Sequence, residues 1–293
     1  MPSTQKPIGL LLAVIVLQQV FAAMTFPAAK YGLAHIDPFT FAFYRTVIAG
    51  VLLLLLVRAR RYATTVSRAD RWRIAGLGAL IIWLNQVAYL VGQVTTTAGD
   101  AALLFATTPI WICLLARLHL KERIPGRRIL GIGIAIAGVV IIIWRGAIGF
   151  GREHLLGDLI VFGSVLAWAA YSIFGKPLVQ KYGALRVTAY ALCAGAVCYF
   201  PYGLFRALTC EYAGVPLLAF ASIVSVALGT SIMSYLLWYW VLKHMEASRV
   251  AAYHNLQPII ATATAHFLLG ETLGLTFLIG GFVILAGVIT TEV

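Results

Sequence analysis

Four residues between positions 254 and 258 interrupt an otherwise apolar stretch. The stretch reads HNLQPIIATATAHFLLGE and begins with His254, Asn255, Gln257 and Pro258. Imidazole and amide groups donate and accept hydrogen bonds, and imidazole titrates near neutral pH, so His254 could also carry a coupling proton. Proline lacks an N–H, so Pro258 leaves the carbonyl of His254 without a helical partner. In lipid such a carbonyl must face protein or a wet cavity, which predicts that these residues line a polar cavity.

A second proline, Pro109, interrupts another apolar stretch and follows the hydroxyl side chain of Thr108. It would free the carbonyl of Phe105 in the same way. Interrupted helices at corresponding places in the two halves of a membrane protein indicate a transport site. The alternative is a packing kink at each proline, with the polar side chains bonded to neighbouring helices and His254 in a structural role.

Other apolar stretches carry polar or aromatic residues at helical spacing. Side chains three or four residues apart lie on one face of a helix. Aromatic rings with polar tips suit an amphipathic organic solute, because they stack and form hydrogen bonds. For Trp168 and Tyr171, the alternative is packing in the protein core. The run from Trp238 to Trp240 predicts a belt of aromatic residues at the membrane interface. The candidates are Asn85 with Tyr89, Trp168 with Tyr171, and Ser231 with Tyr235.

Charged residues are nearly absent from the middle of the apolar stretches. The carboxylates at Asp100, Glu122, Asp158 and Glu271 all fall near the ends of these stretches, which argues against binding of organic cations by a mid-helix acid. Arg45 is the exception, and an ionisable residue inside a membrane segment is a functional candidate by default. It could attract a carboxylate, or it could bond backbone carbonyls or extend to the membrane surface.

The composition shows what kind of element must hold these residues. The chain has 293 residues, of which 61% are hydrophobic and 11% charged. Soluble domains carry about 25% charged residues, so this composition predicts an all-α integral membrane protein. The apolar runs are continuous rather than alternating, which argues against a β-barrel. Ten runs reach spanning length: 8–29, 38–57, 72–95, 98–118, 126–144, 155–175, 186–206, 216–241, 247–268 and 274–291.

The formal net charge of +12 indicates orientation rather than a nucleic-acid partner. If ten helices alternate from a cytoplasmic N-terminus, most of the 22 Lys and Arg residues fall on the cytoplasmic side, as the positive-inside rule requires. We therefore expect a multi-pass protein of the cell inner membrane with both termini cytoplasmic, in contact with the lipid bilayer. The first stretch also resembles a signal peptide, but its removal would break the alternation of charge.

The sequence contains an internal repeat. Prolines, glutamates and glycines of the two halves match at a constant offset of 149 residues. Nearer the N-terminus the offset is 146 residues. Such register is hard to attribute to apolar composition. The matched pairs are Pro109 with Pro258, Glu122 with Glu271, Gly131 with Gly280, Gly138 with Gly287, Lys30 with Lys176, and Ala22 with Trp168.

The repeat predicts two five-helix units, 1–147 and 148–293. Five is an odd number of crossings, so the second unit enters the membrane inverted relative to the first. Inverted repeats are typical of secondary transporters, in which a site near the bilayer midplane is exposed to each side in turn.

The motifs WAAYSIFGK from Trp168 to Lys176, LKE ending at Glu122 and LLGE ending at Glu271 resemble the drug/metabolite transporter superfamily. Within it, the chain is similar to the EamA-type ten-helix transporters over nearly its whole length. The first half departs from the family pattern, with Ala22 where tryptophan is frequent. Among family members the chain looks most like bacterial exporters of aromatic and neutral amino acids.

These observations favour a carrier that exports amino acids or related small metabolites by alternating access through a central cavity. The alternatives are a facilitative channel for small polar metabolites and a membrane-embedded enzyme, for which only Ser231 with His254 offers a conceivable catalytic pair. No nucleotide, metal or cofactor motif occurs, so we expect no cofactor and an existing gradient as the driving force. Ten spans can enclose a path within one chain, so the protein could act as a monomer.

Overall fold

The computed structural model describes residues 7–60, 62, 65–96, 101, 104–143, 155–269 and 275–292. Within these residues every regular element is helical, and we number ten helices in chain order. Their bounds are α1 Ile8–Leu33, α2 Pro38–Ala59, α3 Arg68–Thr95, α4 Leu104–His119, α5 Gly126–Ile143, α6 Leu155–Tyr182, α7 Ala184–Thr209, α8 Leu217–His244, α9 247–269 and α10 Leu275–Glu292.

The ten helices correspond to the ten predicted spans, so the prediction of an all-α membrane protein is confirmed. Among the residues described, α1, α2, α3, α6, α7 and α8 are each long and apolar enough to cross a bilayer, and α4 is a shorter apolar helix. The main boundary error concerns α6, which continues through Pro177 to Tyr182 instead of ending near residue 175. The predicted start of the fourth span at residue 98 lies outside the described residues.

Local sequence sets where two of the helices begin. Asp37 precedes α2, and its carboxylate accepts hydrogen bonds from the backbone N–H groups of Phe39 and Thr40. Ser67 precedes α3 and accepts from the N–H of Asp70, while its hydroxyl donates to the Asp70 carboxylate. Each side chain satisfies amide groups that the first turn of a helix leaves without partners.

The helices of the two halves pack against each other in matching pairs. Helix α1 contacts α8, and in the equivalent pair of the other half α6 contacts α3. Helix α1 also contacts α9, and in the equivalent pair α6 contacts α4. Helix α2 contacts α7, and α5 contacts α10. For these pairs, exchanging each helix with its repeat counterpart reproduces the same interfaces, as expected for two related five-helix units.

The α5–α10 interface shows that these two repeat-related helices are antiparallel. A Cβ added to Gly131 would lie 2.6 Å from the carbonyl oxygen of Gly287, and one added to Gly138 would lie 2.7 Å from that of Gly280. The glycines of one helix therefore meet those of the other in reversed order. Small residues allow such close approach of helix backbones. We call this interface the glycine seam, and its direction agrees with an inverted repeat.

Irregular helix turns occur at matching levels of the two halves. Leu80–Val87 in α3 and Ala227–Ser234 in α8 are π-helical, at an offset of 147 residues. Helix α1 breaks at Met24, α4 has a turn at Thr107 before Pro109, and α9 is 3₁₀-helical over Ala252–Asn255 before Pro258. Such departures from α-helix are frequent at functional sites.

A cluster of ionic groups joins α5, α6, the start of α9 and the loop between α4 and α5. Glu122 accepts hydrogen bonds from Lys176 Nζ at 2.8 Å and from the backbone N–H groups of Ala247 and Ser248 at the start of α9. Arg128 Nη1 lies 2.8 Å from Glu246 and also donates to the Ser248 hydroxyl. We call these residues the ion cluster. Glu271, the repeat counterpart of Glu122, lies outside the described residues.

Candidate functional site

The irregular turns of the two halves surround one cavity in the middle of the bundle. It has a volume of about 80 Å³, below the roughly 300–1,000 Å³ of common ligand pockets. A solute of amino-acid size therefore requires the walls to separate. The lining residues come from α1, α2, α3, α4, α6, α8 and α9: Gln18, Ala22, Thr25, Phe26, Arg45, Asn85, Gln86, Tyr89, Phe105, Trp168, Thr230, Ser234, Tyr235, His254 and Gln257.

The wall formed by α3 and α8 is a chain of hydrogen bonds. Gln86 Nε2 donates to the Tyr235 hydroxyl at 3.3 Å, and that hydroxyl donates to Asn85 Oδ1 at 3.3 Å. Asn85 Nδ2 in turn donates to the carbonyl of Ser164 on α6 at 2.9 Å. The bonds tie the π-helical segment of α3 to α6 and to Tyr235, the residue that follows the π-helical segment of α8.

Arg45 supplies a positive charge to the cavity wall. Its Nε donates to the Ser231 hydroxyl at 2.7 Å, and the residue is 2% exposed. The phenols of Tyr89 and Tyr235 interact with the guanidinium. No Asp or Glu within the described residues forms an ion pair with it. The Ser231 hydroxyl is therefore engaged by Arg45, and the conceivable Ser231–His254 pair has no hydrogen bond.

His254 joins the wall of α9 to α6 and α1. Trp168 Nε1 donates to His254 Nε2 at 2.8 Å, and the amide of Gln19 lies 3.4 Å from Nδ1. The amides of Gln19 and Gln257 are themselves hydrogen-bonded, at 2.8 Å. A buried polar chain thus crosses three helices and fixes the plane of the Trp168 indole beside the cavity.

Aromatic rings occupy two sides of the cavity. Phe26, Tyr89 and Phe105 form an edge-to-face trio with centroids 5.3 to 6.4 Å apart. On the side of α6, the Trp168 ring lies 5.9 Å from Tyr171 and 5.6 Å from Trp238. Of these rings, Phe26, Tyr89, Phe105 and Trp168 line the cavity and supply apolar surface, as an amphipathic solute requires.

The prediction of an interfacial belt from Trp238 to Trp240 is wrong for its first two residues. Trp238 and Tyr239 are 1% and 0% exposed, and they bond to Ser172 and to the carbonyl of Tyr171. The turn of α8 that bears them faces α6, and the ring–ring contacts with α6 keep both residues inside the bundle.

The structure brings seven of the 13 predicted site residues together. Asn85, Tyr89, Trp168, Tyr235, His254, Gln257 and Arg45 line the cavity, whereas Thr108, Pro109, Tyr171, Ser231, Asn255 and Pro258 do not.

The six residues outside the lining are buried beside it or help to shape it. Thr108 Oγ1 donates to the carbonyl of Phe105 at 2.6 Å, the group that Pro109 leaves without a helical partner. Tyr171 stacks on Tyr239 with centroids 4.7 Å apart, one layer away from the cavity. Asn255 is fully buried, and its amide atoms have no hydrogen-bond partner within the described residues.

Several lining residues were absent from the sequence-based candidates. Gln18 was detectable, because it follows a long apolar run within the first span. Thr25 and Thr230 were not, since small hydroxyl residues are common in membrane helices and these two are distant in sequence; their hydroxyls bond to each other. Ala22 and Trp168, paired by the repeat, both line the cavity, so the alanine leaves space opposite the indole.

The sequence profile of the EamA-like transporter family matches this chain twice, over residues 7–144 and 155–292. The chain belongs to the EamA-like transporter family. The two matches cover nearly all of the protein and confirm the two-repeat organisation. The resemblance to the drug/metabolite transporter superfamily is thereby confirmed, and the protein is a membrane transporter rather than an enzyme.

Relatives of this EamA-like protein carry transporter names. It is 31% identical over 274 residues to a probable terminal-alkyne amino-acid exporter of Streptantibioticus cattleyicolor, covering 94% of this chain and 90% of that protein. It is 28% identical over 276 residues to the uncharacterized transporter YyaM of Bacillus subtilis, covering 93% and 90%. A solved crystal structure matches with a TM-score of 0.80 at 17% identity, over 96% of this chain and 98% of that one, a likeness of fold.

Proposed function

We propose that this EamA-like protein is a secondary carrier that exports aromatic or neutral amino acids, or related small metabolites, by alternating access. The observation that carries the proposal is the single central cavity within the described residues, which is lined from both repeats where their helices depart from α-helical geometry. Its mixture of amides, hydroxyls and aromatic rings fits a small solute with a polar and an apolar part.

The contracted cavity and the ion cluster support a gated path over an open pore. A volume of about 80 Å³ leaves no room for continuous passage of an amino acid in this conformation. The ion cluster joins α9 to α6 and to the α4–α5 loop on one side of the bundle. Release of a solute on that side would require these bonds to open.

We further propose the cell inner membrane as the location, with both termini cytoplasmic, so that the ion cluster lies at the cytoplasmic face. The abundance of Lys and Arg residues in the loops on that face supports this orientation. The two repeats, 1–147 and 148–293, enclose the whole path within one chain in this proposal, so a monomer suffices. The partners are the solute and the lipid bilayer.

The test is counterflow in proteoliposomes. Vesicles loaded with unlabelled L-phenylalanine, L-leucine, L-threonine, glucose or uridine are diluted into trace labelled solute of the same kind. A carrier accumulates label transiently because inward and outward steps use one site, whereas a channel only equilibrates it. We expect overshoot with the amino acids and none with glucose or uridine.

A matched pair of variants connects the activity to the cavity. Trp168→Ala removes the ring that forms one wall, and we expect counterflow to fall at least tenfold with unchanged monodispersity in detergent. Trp72→Ala changes a tryptophan that is 72% exposed and should leave counterflow unchanged. Absence of overshoot for every amino acid with folded protein would remove the carrier proposal, and equilibration without overshoot would favour the channel.

A further inference from the structure

We propose that Arg45 binds the carboxylate of the transported solute and that the amide oxygens of Gln18 and Gln86 bind its ammonium group. This assignment rests on the proposed function and names the part of the cavity that each group of a zwitterion occupies. The site would then select solutes that carry both charges on a small apolar frame.

The first observation is the unbalanced charge of Arg45. The residue is 2% exposed; its Nε donates to the Ser231 hydroxyl, and the guanidinium also interacts with the phenols of Tyr89 and Tyr235. No carboxylate in the described part of the chain forms an ion pair with it. A buried charge is costly without a counter-charge, and a guanidinium binds a carboxylate through two parallel hydrogen bonds. The cavity wall therefore favours an anionic group beside Arg45.

The second observation is that the repeat gives Arg45 no counterpart. Offsets of 146 and 147 residues place Ala191 or Leu192 at the equivalent position in the second half, and both are buried apolar residues. Because the duplicated framework needs no cation there, packing of the repeat does not explain the arginine. The charge makes the cavity asymmetric, with the positive group on the wall formed by α2.

The third observation is a pair of unused acceptors. Gln18 Nε2 donates to the Ser234 hydroxyl at 2.8 Å and Gln86 Nε2 donates to Tyr235, but neither amide oxygen has a partner within the described residues. Both glutamines are at least 98% buried and line the cavity. A buried acceptor without a donor is unfavourable, and an ammonium group supplies three donors.

Together these groups match the three parts of an apolar amino acid. Arg45 complements the carboxylate, the two amide oxygens complement the ammonium, and the trio of Phe26, Tyr89 and Phe105 complements an apolar side chain. The lining residues that the structure describes include no carboxylate, so a simple amine finds no counter-charge among them. We therefore expect zwitterionic amino acids to bind better than the corresponding amines.

The test measures binding to purified protein, because the uncharged forms of amines and acids cross bilayers unaided. Ligands are L-phenylalanine and L-leucine, each with its decarboxylated amine and its deaminated acid: phenethylamine, 3-phenylpropanoate, isopentylamine and 4-methylpentanoate. Affinity is read from the ligand-dependent rise in unfolding temperature. For the wild-type protein we expect each amine to bind about tenfold to a hundredfold more weakly than its amino acid, with the acid in between.

Variants locate each contact. Arg45→Gln should lower the affinity for the amino acids and the deaminated acids about tenfold or more and leave the affinity for the amines unchanged. Arg45→Lys should retain part of the affinity for the carboxylate group. Gln86→Leu should lower the affinity for the amino acids and leave the affinity for the deaminated acids unchanged. Arg206→Gln is the matched control, since Arg206 is half-exposed, pairs with Asp37 and lies outside the cavity, and it should bind all ligands as wild type.

The outcomes separate this inference from the proposed function. Equal affinity of the wild-type protein for each amino acid and its amine would overturn the role of Arg45, and counterflow of amino acids would still support the carrier. If Arg45→Gln does not fold, the comparison of ligands on the wild-type protein decides alone. No binding of either amino acid, together with no counterflow, would remove both proposals.

Discussion

The indole nitrogen of Trp168 lies 2.8 Å from Nε2 of His254 inside the bundle. An indole N–H only donates, so His254 Nε2 must accept and cannot carry a proton while this bond exists. A doubly protonated imidazole would place two N–H groups against each other. The geometry thus argues against the hypothesis that His254 carries a coupling proton, and it favours a structural histidine that orients the Trp168 ring.

His254→Gln should preserve counterflow within about threefold, because an amide oxygen can accept the Trp168 N–H. His254→Leu leaves that buried donor without an acceptor. Because an unpaired buried donor costs roughly 1–3 kcal/mol, we expect counterflow to fall about tenfold. Counterflow of labelled L-phenylalanine with and without an imposed pH gradient measures both effects. A pH-gradient response that is present in the wild-type protein and lost in His254→Gln would show that the histidine does carry the proton.

The ion cluster makes stability depend on Glu122 and on pH. Burial alone would raise the pKa of Glu122, but the ion pair with Lys176 and the hydrogen bonds from Ala247 and Ser248 outweigh burial and lower that pKa below its ordinary value of 4.5. A lowered folded-state pKa adds stability that is present above about pH 4.5 and is lost as pH falls through the folded value. We expect the unfolding temperature of the wild-type protein to decline over that acidic range.

Glu122→Gln should lower the unfolding temperature at pH 7 by about 5–10 °C, because it leaves Lys176 buried without its partner at a cost of roughly 3 kcal/mol. The variant should also show a weaker acidic decline. Glu246→Gln is the control: this carboxylate also forms an ion pair in the cluster, but its side chain is 53% exposed, so we expect a loss below about 1 kcal/mol. Equal losses in the two variants would contradict a dominant role for Glu122.

The glycine seam offers a comparison between two glycines of one helix. A Cβ on Gly138 would lie 2.7 Å from the carbonyl oxygen of Gly280, whereas a Cβ on Gly133 meets nothing within 4 Å. Gly138→Ala should therefore destabilise the protein by about 1–3 kcal/mol, and Gly133→Ala should be neutral or stabilising by up to about 1 kcal/mol. The fraction that remains monodisperse after heating in detergent measures both. Equal behaviour would mean that α5 and α10 do not pack as described.

Thr108 and Pro109 should be energetically coupled through the carbonyl of Phe105. Thr108→Val removes the hydroxyl that donates to this carbonyl and should cost about 1–3 kcal/mol. In a Pro109→Ala background the cost should shrink, because alanine restores a backbone N–H. Thr290→Val is the control, since the Thr290 hydroxyl bonds an ordinary helical carbonyl. Additive losses in the double variant would show that the proline does not create the need for the hydroxyl.

The sequence was most informative where one physical requirement dominates. A span must be apolar along its whole length, so ten runs predicted ten helices, and constant register of Pro109 with Pro258 predicted the repeat. The polar interruption at His254 and Gln257 predicted part of the cavity wall, because buried polar groups in lipid need partners or water. Arg45 was also predictable, since a charge in a membrane helix needs a specific reason.

Predictions failed where they assumed regular α-helical spacing in segments that are not regular α-helix. Ser231 and Tyr235 share a face in an α-helix, but Ser231 lies in the π-helical part of α8, and only Tyr235 lines the cavity. Thr108 was a reasonable cavity candidate, yet its hydroxyl is used by the backbone. Neither outcome follows from periodicity, because both depend on local hydrogen bonds that form only in the folded bundle.

The two wide turns at Leu80–Val87 and Ala227–Ser234 also bear on the ancestry of the protein. An identical irregularity in both copies is most simply inherited from one ancestral gene that existed before the duplication. A single five-helix ancestor with that shape would have needed an oppositely inserted copy of itself to enclose the same space. The difference at Arg45, which only one copy possesses, then arose after the duplication, when the two halves were free to diverge.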